Sequence, residues 1–600
     1  MRVHVDRPLL RGLPRLSQAP PESHHVLPGI PREGAIAHSA DIDTYVLDVE
    51  DHTNSPIVHL QVLEHQFTAL PEIVLTPVSV PILRQALLDH PARDLVDFVL
   101  FGFTFGFDIG FRGVGLPSRP RNLRSAIDNP TAVSRAIAKE LRRGHTAGPF
   151  STPPFPCLHC SPLGSAPKKD GSVRLVLDLS SPRGCAINED ISKDEFSVTY
   201  SSFDDAVRLV ARIGTHAMMA KLDIQHAFRL CPVRLDQLHL LGFRWFDLFF
   251  VDLRLPFGSR SSPFIFSQFA DLLAWVLINI VGILFLLHYL DDFFLASDSS
   301  DTCSRYIANM LSFCHQAGIP IAHDKSVGPT SRMVYLGIEI DAATQVVSLP
   351  EEKLREIQLL VAAWISKDKC TKRELLSLIG SLSFAAKVVQ PGRLFVRRLI
   401  DLSTTVKSLS HFIYINKGAK ADIRWWHRFL TRWNGKQFFC VEQLLSSDLS
   451  LATDASSLGI GAVCGSSWFS VQIPSHLHHI HINAFELFAI FAAVVVWGHT
   501  WANKRVLFLT DNTCVVQVAS AGTCKNEVIM RILRSMFMFT ATWNIRLTFR
   551  HIPGSSNLYA DLLSRLQVQQ FRQAMPSADR SPSVVPERIW QVFEDSDTDS

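Results

Sequence analysis

The chain is short of net charge. Its 59 Lys and Arg against 56 Asp and Glu leave +3 over 600 residues. No basic surface follows from that total, so a cleft for a polyanion has to come from local clustering. The 11 cysteines lack the paired spacing of a disulfide framework. Cys157 and Cys160 make one C-x-x-C around His159, but no second pair lies nearby, which argues against zinc. Scattered thiols fit a reducing intracellular setting, cytoplasm or nucleus. The first thirty residues carry Arg, His and Pro without an apolar core, so no secretory signal is expected. Long apolar runs are also scarce. The one membrane-like stretch, Leu272 to Leu290, is broken by Asn279, Gly282 and His288 and ends in Asp291 and Asp292. It reads as a buried helix followed by a strand, and the protein as soluble, without a membrane partner.

What is present is a globular composition, 47% hydrophobic and 19% charged, with length for about three to five domains. Residues 1 to about 90 are rich in Pro and His and offer no chemistry; part of them is expected to be disordered. The aromatic–glycine stretch Phe101 to Phe111 offers rings that could stack bases, but reads rather as a packed turn region. Asn129-Pro130 opens a helix that Gly144 ends, with Arg135, Lys139, Arg142 and Arg143 on a basic face.

Chemistry begins at Pro167 to Ser172, where Asp170-Gly171 marks a hairpin turn leading into the strand Val173 to Leu179. Lys168 and Lys169 on the turn and Arg174 on the strand offer cations to a triphosphate. Asp223 then ends an apolar strand. A Gly/Pro/Ser loop, Leu255 to Pro263, opens an apolar helix, and the run from Val281 leads into Tyr289-Leu290-Asp291-Asp292. Two adjacent acids at the end of a buried strand are costly without partners, and hard carboxylate oxygens suit Mg²⁺ or Mn²⁺. The plainer reading of Asp291 and Asp292 is a polar turn. Lys325 and the strand Tyr335 to Ile340 follow.

Taken in this order, residues from about 160 to 345 resemble a reverse transcriptase. The charged hairpin resembles the fingers, Asp223 the first palm acid, Leu255-Pro256-Phe257-Gly258 the template and nucleotide loop, and Tyr289-Leu290-Asp291-Asp292 the palm hairpin. The resemblance implies nucleotidyl transfer with two Mg²⁺ (or Mn²⁺) held by Asp223 and Asp291, with Asp292 in support. It implies nucleotide contacts from Lys168, Lys169, Arg174, Phe228, Phe257, Gly258 and Lys325. Phe228 falls where the family keeps an aromatic side chain under the sugar, excluding a 2′-hydroxyl.

From Glu351 the pattern turns helical, Glu351 to Ser366 and Thr371 to Lys387, with Thr371 and Glu374 as a capping box. These segments look like a thumb whose Lys372, Arg373, Arg393, Arg397 and Arg398 follow a duplex backbone, or are simply solvated faces. Ile423 to His427 begins a connecting helix with core tryptophans. A second set of acids follows. Asp454 lies on a strand, Glu486 near the start of the apolar helix Asn483 to Trp497, and Asp511 at the end of a buried strand. Asp561 lies on a helix ten residues after His551. Four acids on separate core elements suggest a carboxylate cage for two metals.

This region resembles the ribonuclease H of retroelements, with Asp454, Glu486, Asp511 and Asp561 as its acids and His551 as its mobile histidine. The wording of several runs is most similar to the tyrosine-recombinase (DIRS-type) retrotransposons. They are Phe155-Pro-Cys-Leu-His-Cys-Ser-Pro162, Met219-Ala-Lys-Leu-Asp-Ile224, Phe228-Arg-Leu-Cys-Pro-Val233, His288 to Phe294 and Trp501-Ala-Asn-Lys-Arg-Val506. The fold this implies is an α+β and α/β multidomain chain, a right-hand polymerase followed by a connection and a ribonuclease H-like domain. Expected bounds are 1–94 for a partly disordered N-terminal region, 95–350 for fingers and palm, and 351–445 for thumb and connection. Residues 446–568 would form the ribonuclease H-like domain and 569–600 a disordered acidic tail.

The implied partners are an RNA template, a DNA primer and product, RNA–DNA hybrid and dNTPs. Aspartic protease, integrase zinc and recombinase patterns are not visible, so nucleocapsid and recombinase proteins would be supplied separately. The competing expectation is a silent retroelement relic that binds nucleic acid; the presence of every acid weighs against it.

Overall fold

The structure, a computed structural model, describes residues 68–168, 171–432, 437–438, 443–444, 451–502, 504–522, 524–543 and 545–594. Lys169 and Asp170, most of the N-terminal region and the last acidic residues lie outside this set. The chain forms two compact units. One holds the residues up to Ser201 with Leu222–Leu295 and Arg305–Ser326. The other holds Ser202–Lys221, Ala296–Ser304 and everything from Val327 onward.

In the first unit, helix α1 (Arg93–Phe105) buries Val96, Val99, Leu100 and Phe103, one face at helical spacing. The aromatic–glycine stretch is therefore not all turn, since its first five residues finish this helix. Gly102 lets the Phe107 ring fold back against it, because a Cβ there would stand 2.1 Å from that ring. Helix α2 (Pro130–Arg142) starts on proline and buries Val133, Ile137 and Leu141. Gly144 follows it with φ +64°. Arg135, Lys139, Arg142 and Arg143 are exposed.

Strand β1 (Thr146–Phe150) precedes the hairpin of β2 (Leu163–Pro167) and β3 (Val173–Leu177). After β4 (Met218–Asp223) come β5 (Gly242–Trp245) and β6 (Leu248–Asp252), which with β1 form a sheet ordered β1-β6-β5. Helix α3 (Ser262–Asn279) opens on Pro263 and is buried along most of its length. It leads to the hairpin of β7 (Phe285–Tyr289) and β8 (Asp292–Ser297). The membrane-like stretch is thus helix, loop and strand.

In the second unit, Met219 and Lys221 of β4 pair with β9 (Val327–Thr330). The segment expected as one strand, Tyr335 to Ile340, is a hairpin of β10 (Arg332–Tyr335) and β11 (Ile338–Asp341). Leu336 and Gly337 turn it, with φ +47° and +78°, the two positive values that a two-residue hairpin turn uses. β12 (Val346–Ser348) extends that sheet.

Helices α4 (Glu351–Trp364), α5 (Lys372–Ala385), α6 (Arg397–Ser403) and α7 (Lys417–Arg432) follow. Thr371 and Glu374 form the expected capping box on α5, and Trp425 and Trp426 of α7 are core residues. Strands β13 (Lys369–Thr371) and β14 (Phe412–Tyr414) pair across this helical stretch, and Gln437–Phe438 (β15) joins β12. The chain ends in a mixed sheet. Gln443–Leu444 (β16) leads to the antiparallel meander β17 (Ala452–Ala455), β18 (Gly459–Cys464) and β19 (Ser467–Gln472). Helix α8 (Ile482–Trp497) follows, then β20 (Arg505–Thr510), α9 (Thr513–Ala521), α10 (Glu527–Thr542), β21 (Arg546–His551) and α11 (Leu558–Ser564). β20 runs parallel to both β17 and β21.

Among the described residues two helices, Ser262–Asn279 and the stretch Ile482–Trp501, are long and apolar enough to cross a membrane. In each, most of that window is buried inside the protein. The expectation of a disordered tail from residue 569 is overturned through residue 594. Helix α12 (Val568–Ala574) buries Phe571 against Trp468 and Leu563. A 3-10 segment, Glu587–Phe593, places Trp590 and Phe593 on Phe488, with ring centroids 4.6 and 4.8 Å away. The reason for the second contact lies in α8, which is apolar on nearly every side and so requires cover on every side.

Candidate active sites

The first site forms around Asp223. Ile224 N donates to Asp291 O at 2.9 Å, which draws the end of β4 alongside the β7–β8 turn. Asp223 is buried, and its Oδ1 accepts from Lys325 Nζ at 3.1 Å. Asp291 and Asp292 are half-buried at the hairpin tip. The turn itself is strained, since Leu290 has φ +53°, a conformation costing a side-chain residue about 1–2 kcal/mol. His226 and Ala227, just past Asp223, also have positive φ. Backbone of this kind concentrates where geometry matters to function.

Burial pushes the Asp291 carboxyl up to about 6; the charges of Asp223 and Asp292 push the same way, and Lys325 opposes them. Carboxylates that raise one another's proton affinity for want of positive charge are a donor set that suits a divalent cation, although among the described residues their oxygens do not gather as closely as those of the C-terminal acids below. In sequence His288 interrupts an apolar run and opens the run His288 to Phe294, with no role of its own assigned. Its Nε2 lies 2.9 Å from Asp271 Oδ1, and its ring stacks on Phe293, so it ties the acid-bearing hairpin to α3.

A second group stands on the fingers-like hairpin and the Leu255 to Gly258 loop. Phe228 and Phe257 have ring centroids 5.3 Å apart, and the Arg174 guanidinium lies 4.7 Å from the Phe257 centroid. Leu177 N donates to Phe257 O at 3.0 Å. Gly258 has φ +118°, and a Cβ there would fall 1.9 Å from Leu177 O, so only glycine lets the loop dock on β3. Asn188 carried no sequence signal, yet it clamps this loop. Its Nδ2 donates to Gly258 O at 2.9 Å and its Oδ1 accepts from Arg260 N at 2.8 Å. Lys168 is exposed beside the β2–β3 turn; Lys169 lies outside the described residues.

The third group is the C-terminal acids. Ala452 of β17 pairs with Leu509 of β20 in parallel register. Asp454 and Asp511, each two residues further on, therefore emerge at one edge of the sheet. Glu486, in the second turn of α8, points its carboxylate to the same place. One oxygen from each of the three lies within 4.8 Å of the others. Burial pushes Glu486 up to about 9, reinforced by Asp454 and Asp511. Burial likewise lifts Asp454 to about 6, although Ser564 Oγ donates to its Oδ2 at 2.6 Å. Three carboxylates that cannot all ionise unaided again fit a divalent ion.

The fourth acid stands apart from this trio. Asp561 binds Arg565 Nε at 2.8 Å and reaches Asp454 only through its charge. His551 is exposed, its Nε2 3.1 Å from Asp511 O. Ser564 and Arg565 had not been singled out from sequence.

Residues 166–340 match the family model for reverse transcriptase (RNA-dependent DNA polymerase). Among curated proteins, the Transposon Tf2-3 polyprotein of Schizosaccharomyces pombe is 22% identical over 478 residues, 74% of this chain and 32% of the polyprotein. Transposon Tf2-7 polyprotein of the same organism is 22% identical over 475 residues, with the same coverage. The chain thus spans about a third of the length of the curated relatives it matches. Among solved structures, a foamy viral protease-reverse transcriptase in complex with double-stranded DNA is 16% identical with a TM-score of 0.46. That match covers 73% of this chain and 72% of the other. The same viral protein with an RNA/DNA hybrid gives 16% and 0.41, covering 80% and 64%. Residues 166–340 are thus similar to a reverse transcriptase domain, within a stretch of sequence similar to retrotransposon polyproteins.

Proposed function

We propose that this chain is an RNA-directed DNA polymerase with ribonuclease H activity, copying the RNA of a retroelement into DNA and degrading the RNA strand of the hybrid. The observation that carries the reading is the presence of two separate sets of carboxylates, mutually repelling in the first and gathered within 4.8 Å in the second, together with an aromatic and cationic group on the Phe257 loop. Asp223, Asp291 and Asp292 would hold two Mg²⁺ or Mn²⁺ ions in one site; Asp454, Glu486, Asp511 and Asp561 would hold two in the other. Bound there, such ions supply positive charge that activates an attacking hydroxyl or water and offsets charge on the leaving group.

The chain's own residues do the rest. Lys168, Lys169 and Arg174 present cations to the triphosphate, with Arg174 kept in place by Phe257. Phe228 stands under the sugar and excludes a 2′-hydroxyl. Asn188 and Gly258 hold the loop against β3, and Lys325 balances the charge of Asp223. His551, exposed beside Asp511, is placed to reach a scissile strand. Fingers and palm would occupy 95–350, thumb and connection 351–445, and the nuclease 446–568. The dense runs around Cys157, Asp223, Asp291 and Trp501 support kinship with the DIRS-type group. Template RNA, DNA primer, hybrid and dNTPs are the partners this reading requires, inside the cell.

The test is purified protein with a DNA-primed RNA template and Mg²⁺. Extension is expected, and Asp291→Asn is expected to abolish it while the circular dichroism spectrum is unchanged. Extension by the variant at the wild-type rate overturns the palm assignment.

A further inference from the structure

We propose that Arg254 is the floor of a binding site for a small monovalent anion of about chloride size. Its side chain is buried, at 7% exposure. Among the described residues its guanidinium makes no hydrogen bond or ion pair, and its Nη1 is fully buried without a partner. A buried cation in that state is costly, and it is unusual enough in a folded protein to call for an ion.

The neighbouring charges make matters worse. Two residues earlier, at the end of β6, Asp252 is engaged by both terminal nitrogens of Arg229, at 3.0 and 2.8 Å. Glu140 Oε2 is shared by Arg229 Nε and His145 Nδ1, each at 3.0 Å. Both carboxylates are thus committed elsewhere. What acts on Arg254 is the repulsion of Arg229 and a buried thiol, Cys231, which burial keeps neutral.

Arg254 lines a cavity of about 30 Å³ together with Ile73, Val74, Gly144, Pro232, Val233 and Leu253. The walls are apolar and Arg254 is the one charged residue among them. A divalent oxyanion needs several donors to replace its hydration; a monovalent ion tolerates one guanidinium and apolar contact. That selects a halide-like anion over phosphate. The site also has a consequence for the loop beside it. Leu255 N donates to Cys231 O at 3.0 Å, so a filled cavity steadies the segments that carry Phe228 and Phe257.

The test uses the full chain and does not depend on activity. Chloride is titrated against gluconate at constant ionic strength, with thermal unfolding as the readout. A saturating upward shift in Tm is expected for the wild type and for Arg254→Lys, and none for Arg254→Met, whose apolar side chain removes the need for an ion. Crystals soaked in bromide are expected to show an anomalous peak beside the guanidinium. A flat wild-type titration, or a bromide map with only water at Arg254, overturns the proposal.

Discussion

Phe228 shows how much one side chain is asked to do. It sits between Phe257 and Phe266, with centroid distances of 5.3 and 5.8 Å. Its neighbours therefore fix its ring, and shortening the side chain opens space without disturbing the acids. Phe228→Val is expected to admit ribonucleotides, read as the ratio of dNTP to rNTP incorporation in single-nucleotide assays. An unchanged ratio would assign the gate elsewhere.

Glu140 makes a prediction about pH. Burial alone would raise its carboxyl, but the hydrogen bond with His145 and the charge of Arg229 outweigh burial and bring it to about 2, from an ordinary 4.5. A depressed acid adds stability above its unfolded value and loses it as pH falls through the folded one. The difference amounts to about 3 kcal/mol. The stability gap between wild type and Glu140→Gln is expected to be widest above pH 5 and to close as pH approaches 2. Urea titrations across that range measure it, and a gap independent of pH would contradict the ion-pair account.

Among the elements, the C-terminal segment is the one whose role the fold changes most. Trp468 Nε1 donates to Asp579 O at 2.9 Å, Ser583 N donates to Trp468 O at 2.7 Å, and His476 Nε2 lies 3.0 Å from Glu594 Oε1. With Phe593 on Phe485 and Phe488, the segment straps the turn of α8 that carries Glu486. Removing its two anchors, Trp590→Ala with Phe593→Ala, is expected to cost on the order of 3 kcal/mol. It should also weaken RNA-strand cleavage more than DNA synthesis. Denaturant unfolding and a hybrid-cleavage assay report the two effects, and wild-type values for both would make the strap ornamental.

For the whole molecule, the division into two units carries the main expectation. Asp223, Asp291 and Asp292 all fall in the first unit, and Asp454, Glu486, Asp511 and Asp561 all fall in the second. Neither set borrows a ligand from the other. Glu486→Gln is therefore expected to stop cleavage of the RNA strand while extension continues, and Asp291→Asn to do the reverse. One tube with a labelled, primed hybrid scores both; loss of both activities in folded Glu486→Gln protein would refute two independent sites.

The amino-acid sequence by itself was enough to give the order of the acid-bearing elements and most of their kinds. Those signals are local: a proline opening α2, the Thr371–Glu374 box, apolar runs ending in Asp223, Asp291 and Asp511. Turn chemistry and side-chain period act within a few residues and can be read there. Other features were decided only when the chain packed. The parallel register of β17 and β20 joins Asp454, Glu486 and Asp511 and leaves Asp561 at their margin. Asn188 becomes a clamp because Gly258 comes to it across seventy residues of chain. The acidic-looking tail is ordered through residue 594 because α8 has an apolar side to cover. Among the described residues Arg254 Nη1 is left without a partner because Arg229, with His145, engages both nearby carboxylates. Each of these depends on contacts between residues far apart in sequence, and burial and charge then act on whichever groups the packing has brought together.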